Sequence, residues 1–156
     1  RSEAATKITA AVGARQSDDF LIMARTDSRA VISMDEALRR GEAFLNAGAD
    51  ILFIEAPQSM EELRLVAETF KGAKLVANMV EDGRTPYLSI DELEELGFAL
   101  ALYPVSSLLV VAKRLQDTYA AMHAGGHLPE NEARLRFGEY NDMIGLNELV
   151  PSAVDV

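Results

Sequence analysis

Short apolar runs alternate along this chain with longer amphipathic stretches, the pattern of an α/β protein with a parallel sheet. Four runs predict strands: Phe20–Ala24, Ile51–Ile54, Leu75–Ala77 and Ala99–Leu102. None alternates polar with apolar residues, so each is expected to be buried on both faces, as parallel strands are. Between and after them the apolar positions fall at helical spacing: Met34, Leu38, Gly41 and Leu45; Leu63, Val66, Ala67 and Phe70; Ile90, Leu93 and Leu96. All three stretches open with a Ser-x-x-Glu capping box, at Ser33–Glu36, Ser59–Glu62 and Ser89–Glu92. There the Ser hydroxyl accepts an orphan first-turn amide and the Glu reaches back to the cap amide. Each stretch closes near Gly48, Gly72 or Gly97, placed for a left-handed C-cap. A helix over 3–15 should turn Ile8 and Val12 inward. A longer one over 107–124 should bury Leu108, Ala112, Leu115, Tyr119 and Met122, and stop at Gly125-Gly126. Beyond Leu128 the apolar density falls, and Phe137, Tyr140, Ile144 and Leu149 predict one or two short helices.

Four parallel strands, each followed by a helix, fit an open doubly wound sheet or part of an eight-stranded barrel, whose whole takes about 250 residues. The Gly-rich turn of a nucleotide-binding open sheet is missing. Instead each strand ends on a different polar group: Arg25 with Thr26 and Asp27, then Glu55, Asn78, and Tyr103-Pro104-Val105-Ser106. A barrel builds its active site from the carboxyl ends of several strands. The expected fold is therefore an α/β parallel (β/α)8 barrel of TIM type, seen in part.

Composition narrows the function. A chain of 156 residues, 49% hydrophobic and 26% charged, is sized and proportioned for one globular domain. Its net charge of -10, from 15 basic and 25 acidic residues, leaves no electrostatic footprint for nucleic acid or an anionic membrane. No apolar run approaches the roughly 20 residues of a membrane span. The absence of cysteine excludes a disulfide framework, a thiolate metal site and a cysteine nucleophile within these residues, and fits a reducing, cytoplasmic compartment. The chain opens on Arg1, directly into a helical pattern and without a leader, so it is expected to begin partway through a gene product.

The strand ends carry the candidate chemistry. The Arg25 guanidinium suits bidentate binding of a carboxylate or phosphate; alternatively it forms a structural ion pair with Asp27 or Glu55. Glu55 is suited to hydrogen-bonding a substrate hydroxyl or to acid–base work, or else it only neutralises Arg25. Asn78 offers a donor and an acceptor without charge, or else caps its own loop. Pro104 gives a rigid wall, and Phe53 is a core residue facing the pocket. His123 and His127 read as a helix-end cation or a loop residue. Glu92-Leu93-Glu94-Glu95 is a solvated helix face, since adjacent helix positions diverge too far to share a metal.

Four segments together resemble the isocitrate lyase and phosphoenolpyruvate mutase superfamily, nearest its methylisocitrate lyase, dimethylmalate lyase and carboxyphosphonoenolpyruvate mutase group. They are 20–27 (FLIMARTD), 48–57 (GADILFIEAP), 77–81 (ANMVE) with Thr85-Pro86, and 102–106 (LYPVS). The resemblance runs from about Glu3 to about Gly126. It implies that 1–126 is the C-terminal half of a (β/α)8 barrel, supplying the last four strands. It also implies that 127–156 is a C-terminal helical arm exchanged between the subunits of a homotetramer. The activity implied is a Mg²⁺-dependent lyase that breaks a carbon–carbon bond in a small 2-hydroxy di- or tricarboxylate through an enolate-like intermediate. By position, Arg25 becomes the substrate clamp, Glu55 and Asn78 become substrate hydrogen-bonding residues, and Phe53, Leu102 and Pro104 become pocket walls. The superfamily's acidic metal ligands and its mobile catalytic loop belong to earlier segments. No catalytic residue and no metal ligand is therefore expected here, and these residues alone should be inactive. Two other functions fit the same residues: oxaloacetate decarboxylation or C–P bond chemistry on the same fold, and a non-catalytic half-barrel, a self-contained four-stranded module that binds a partner or an organic acid.

Overall fold

The computed structural model describes residues 1–130 and 132–149. Two units divide the chain, one of residues 1–110 and one beginning at Val111. The first contains α1 (Ser2–Ala14), β1 (Met23–Thr26), α2 (Ser28–Val31), α3 (Met34–Asn46), β2 (Ile51–Ile54), α4 (Met60–Thr69), β3 (Lys74–Asn78), α5 (Ile90–Leu96) and β4 (Leu100–Leu102). α6 (Ser106–Gly125) starts there and continues into the second unit, followed by α7 (Phe137–Met143) and α8 (Leu146–Leu149).

The four strands form parallel pairs in the order β1-β2-β3-β4. Their register pairs Ala24 with Leu52, Arg25 with Phe53, Leu52 with Leu75, Val76 with Leu100, and Asn78 with Leu102. Since alternate strand residues face opposite sides, Ala24, Leu52, Ile54, Leu75 and Ala77 share one side. Arg25, Phe53, Val76, Asn78 and Leu102 share the other. The first set merges with Ala37 and Phe44 of α3, Leu63 and Val66 of α4, and Leu93 of α5 in one core. Helices therefore cover one side of the sheet. Right-handed crossovers between strands taken in sequence order put every helix on that same side, whereas a doubly wound sheet reverses its order to cover both. The choice between the two expected architectures thus falls on the barrel type: a singly wound half of a (β/α)8 barrel.

That geometry corrects the expectation that every strand is buried on both faces. Met23 of β1 is 41% exposed and Leu100 of β4 is 42% exposed, both on edge strands. The first strand also begins later than its apolar run. The Asp50 carboxylate accepts from the Ile22 amide at 2.8 Å and from Arg15 Nη1 at 2.7 Å, fixing the chain at the entry to β1. Phe20 and Leu21 stay exposed before the ladder, and the polar Arg25 and Thr26 join it.

Each predicted N-cap forms, with Ser33, Ser59 and Ser89 accepting from the amides of Glu36, Glu62 and Glu92. Only Ser89 completes its box, by donating its amide to Glu92 Oε2 at 2.8 Å. Glu36 is drawn to Arg1 and Arg40 instead, and Glu62 to Arg29 and the Gln58 amide. α5 ends on Gly97 at φ 94, the left-handed cap that glycine takes without strain. Gly41 has no room for a side chain, because a Cβ there would lie 2.6 Å from Phe70 Cζ.

In the second unit Arg114 Nη1 meets Glu132 Oε1 at 2.6 Å. α6 buries none of its residues; Leu108, Leu115, Tyr119 and Met122, expected to face inward, are exposed. Of the expected 127–156 arm, residues 131 and 150–156 lie outside the described residues. Among the described residues no helix is long and apolar enough to cross a membrane.

Candidate functional site

The uncovered side of the sheet gathers polar groups at its carboxyl end. Arg25 stands one residue before the end of β1, beside Phe53 in the register. Glu55 follows β2 directly, its amide continuing the ladder to the Thr26 carbonyl at 3.0 Å. Asn78 ends β3 opposite Leu102, and the Met79 amide extends that pairing to the Leu102 carbonyl at 2.8 Å. Parallel register and period-two alternation thus bring residues from four separate apolar runs to one place.

Glu55 is the hub. Its Oε2 lies 3.5 Å from Arg25 Nη2, and Asn78 Nδ2 donates to both carboxylate oxygens at 3.4 Å. The Arg25 guanidinium stacks on Phe53 with Cζ 4.8 Å from the ring centroid, a cation–π contact. Asp27 Oδ1 accepts from Arg25 Nε at 2.9 Å and sits 2.9 Å from Nη2. Arg25 is thereby held on one face and one edge while its side chain stays 48% exposed; that of Glu55 is 21% exposed. Phe53 is buried, Leu102 half-buried and Pro104 exposed, two residues past β4. The structure therefore joins Arg25, Glu55, Asn78 and Phe53 by direct contacts and sets Leu102 beside Asn78. The substrate clamp and the structural ion pair weighed for Arg25 are compatible, since Asp27 takes the Nε/Nη2 edge while Nη1 has no partner among the described residues.

Two buried side-chain oxygens here have no partner among the described residues: Asn78 Oδ1 and Glu81 Oε2. A buried acceptor without a donor costs about 1–3 kcal/mol. Ligands commonly supply such a donor. Glu81 is not a strand-end residue, and the sequence assigns it no role. Its Oε1 accepts from the Ser106 hydroxyl and from the Tyr87 hydroxyl at 3.3 Å, joining the loop after β3 to the start of α6. These hydrogen bonds, Ser106 first, hold the Glu81 carboxyl below the usual carboxylate range. The Tyr87 ring meets Tyr103 edge-on at 6.0 Å between centroids. Among the described residues two other than glycine adopt left-handed backbone, Ala56 at φ 54 and Asp82 at φ 57. Each directly follows one of the two glutamates, Glu55 and Glu81. Such strain costs on the order of 1–3 kcal/mol and collects at functional sites.

Among the described residues no three His, Cys, Asp or Glu side chains are grouped to hold a metal ion. Glu55 is engaged with Arg25 and Asn78, and His127 Nδ1 lies 3.0 Å from the Leu128 carbonyl.

A singly wound parallel sheet that gathers a guanidinium, a carboxylate and an amide at its carboxyl end has the architecture of half a (β/α)8 barrel. A family model described as phosphoenolpyruvate phosphomutase matches residues 1–123, and the chain belongs to that family. It is 44% identical over 153 residues to a 2,3-dimethylmalate lyase of Eubacterium barkeri, covering 96% of this chain and 52% of the relative. It is 48% identical over 143 residues to a 2-methylisocitrate lyase of Aeropyrum pernix, covering 91% and 46%. Its fold superimposes on a crystal structure of 2,3-dimethylmalate lyase, a PEP mutase/isocitrate lyase superfamily member, with a TM-score of 0.85. That match is at 33% identity and covers 93% of this chain and 51% of the other. The chain spans about half the length of the curated relatives it matches.

Proposed function

We propose that the protein carrying this chain is a carbon–carbon bond lyase acting on a small 2-hydroxy di- or tricarboxylate of the dimethylmalate or methylisocitrate type. Family membership and the two lyase relatives support the class. The observation that carries the substrate chemistry is the half-free Arg25 fork, held through Glu55 in one cluster with Asn78. A carboxylate accepts from the open end of the guanidinium, and a neighbouring hydroxyl bonds to the Glu55–Asn78 pair. Glu55 fixes both Arg25 and Asn78. Phe53, Leu102 and Pro104 wall the apolar part of the substrate. When the carbon–carbon bond breaks, the hydroxyl gives up its proton to a base outside the described residues and its carbon becomes a carbonyl; the bond's electron pair stays on the carbon beside a carboxylate, where Arg25 stabilises the enolate-like charge until that carbon is protonated.

In the superfamily the resemblance implies, Mg²⁺ supplies Lewis-acid stabilisation of substrate oxygens. The described residues do not fit that ion: no acidic group of three converges, and the Glu55 carboxylate is already engaged. Its ligands therefore belong to the proposal as residues beyond those described, and these residues alone are proposed to be inactive. The same resemblance supports a cytoplasmic homotetramer in which residues 127–156 form an arm exchanged between subunits. Light scattering of the full-length protein tests the tetramer.

Steady-state kinetics of the full-length protein with Mg²⁺ and 2,3-dimethylmalate or 2-methylisocitrate test the activity, with a phosphonate substrate as the competing arm. Arg25→Ala should lower kcat/KM by about 30-fold or more, the loss of a charge-assisted pair worth about 2–4 kcal/mol. A change of only a few-fold removes Arg25 from the clamp role.

A further inference from the structure

Asp27 stands at the N-cap of α2, where an aspartate ordinarily accepts a first-turn amide, yet its side chain makes no capping bond. Thr26 Oγ1 accepts the Ser28 amide instead, at 3.3 Å, and pairs with the Ser28 hydroxyl at 2.9 Å. The Asp27 carboxylate is turned toward Arg25. One oxygen, Oδ1, lies 2.9 Å from Nε and 2.9 Å from Nη2. A guanidinium hydrogen-bonds in its plane, along the Nε/Nη2 edge or at the Nη1/Nη2 end, and stacks on its flat faces. Phe53 covers one face, Asp27 takes the edge, and Glu55 stands 3.5 Å from Nη2. Among the described residues only Nη1 is left without a partner.

We infer that Asp27 is a positioning residue: by occupying the side edge of Arg25 it directs the Nη1 end at the substrate carboxylate. The inference deepens the function proposed above and rests on it. The helix cap is the local role this aspartate leaves unfilled, so its effects on stability and on binding can be separated. A serine at position 27 keeps a capping oxygen but is too short to reach the guanidinium edge.

The test uses the full-length protein with Mg²⁺ and whichever of 2,3-dimethylmalate or 2-methylisocitrate the wild type cleaves. Asp27→Ala and Asp27→Ser should raise KM at least tenfold with kcat within threefold. Asp27→Ser should keep or raise the melting temperature. Asp27→Asn, which retains an accepting oxygen in place, should recover most of the KM loss. An unchanged KM in both variants overturns the assignment. So does a lowered KM, which would make Asp27 a competitor of the substrate, and so does a KM loss that tracks a falling melting temperature. Arg25→Ala is run beside them. If it is impaired and the Asp27 variants are not, only the Asp27 assignment fails. If it is not impaired, the clamp role of Arg25 fails and takes the Asp27 assignment with it; a wild type that cleaves neither acid overturns the proposed function, and with it the Asp27 assignment that rests on it.

Discussion

Glu55 holds its place between a cation and an amide, and each neighbour imposes a different condition on it. Arg25 meets the carboxylate with a charge 3.5 Å away, whereas Asn78 donates to it from an uncharged amide. Asn78→Asp should disturb this arrangement, because it replaces the donor with a carboxyl where Asn78 Nδ2 and Glu55 now sit 3.4 Å apart. With the donated bond lost and two acidic groups facing each other, kcat/KM should fall by about 10- to 100-fold, as expected for a misplaced binding group. Steady-state kinetics of the variant decide it; a kcat/KM within a few-fold of wild type counts against the contact. Arg25, Glu55 and Asn78 were legible in the sequence because each is the polar end of an apolar run, and strand ends are where barrels place their chemistry. Glu81 was not. Its anchor, Ser106, is 25 positions away, and no local pattern joins them. Asp27 was visible as a partner for Arg25, but its choice between that role and the helix cap is decided only by where the Phe53 ring places the guanidinium.

At the scale of elements, the same capping motif meets three different fates. All three serines cap, because that bond closes within one turn. The return bond depends on what else the glutamate can reach, and at α3 the cations prevail. The Glu36 carboxyl is held down to about 2, first by its hydrogen bond with Arg1 and then by that with Arg40. A carboxyl whose folded pKa lies below its unfolded value, about 4.3, stabilises the fold fully above the unfolded value. That contribution is lost as pH falls through the folded one. Glu36→Gln should therefore be less stable than wild type at pH 6, with the two melting temperatures converging between about pH 4.3 and pH 2. Equal separation at every pH would show that the ion pairs to Arg1 and Arg40 do not stabilise α3. The capped helices and their glycine stops were readable for the same local reason. The start of β1 was not, because Asp50 fixes it through Ile22 from 28 positions away. The four-residue α2 carries too short a pattern to register, and α6 has helical spacing but buries none of its apolar face against the described residues.

The whole molecule is legible down to a choice of two, and strand order makes the choice. Apolar runs separated by capped helices define an α/β protein but cannot say on which side the helices lie. Consecutive strand order with right-handed crossovers places them on one side. The bare side then carries Arg25, Glu55 and Asn78, together with the exposed Met23 and Leu100 on edge strands whose outer ladders are unpaired among the described residues. Parallel sheets are ordinarily covered on both faces, and open edges are templates for association. The barrel reading and the self-contained module therefore differ in a property of the isolated chain. Residues 1–156 produced alone should bind a hydrophobic-surface dye strongly and elute from size exclusion at sizes that grow with concentration. A dye-silent monomer with one cooperative unfolding transition would mean that four strands suffice as a fold. The cluster around Glu55 would then be a complete binding site, with no need of the barrel's other half.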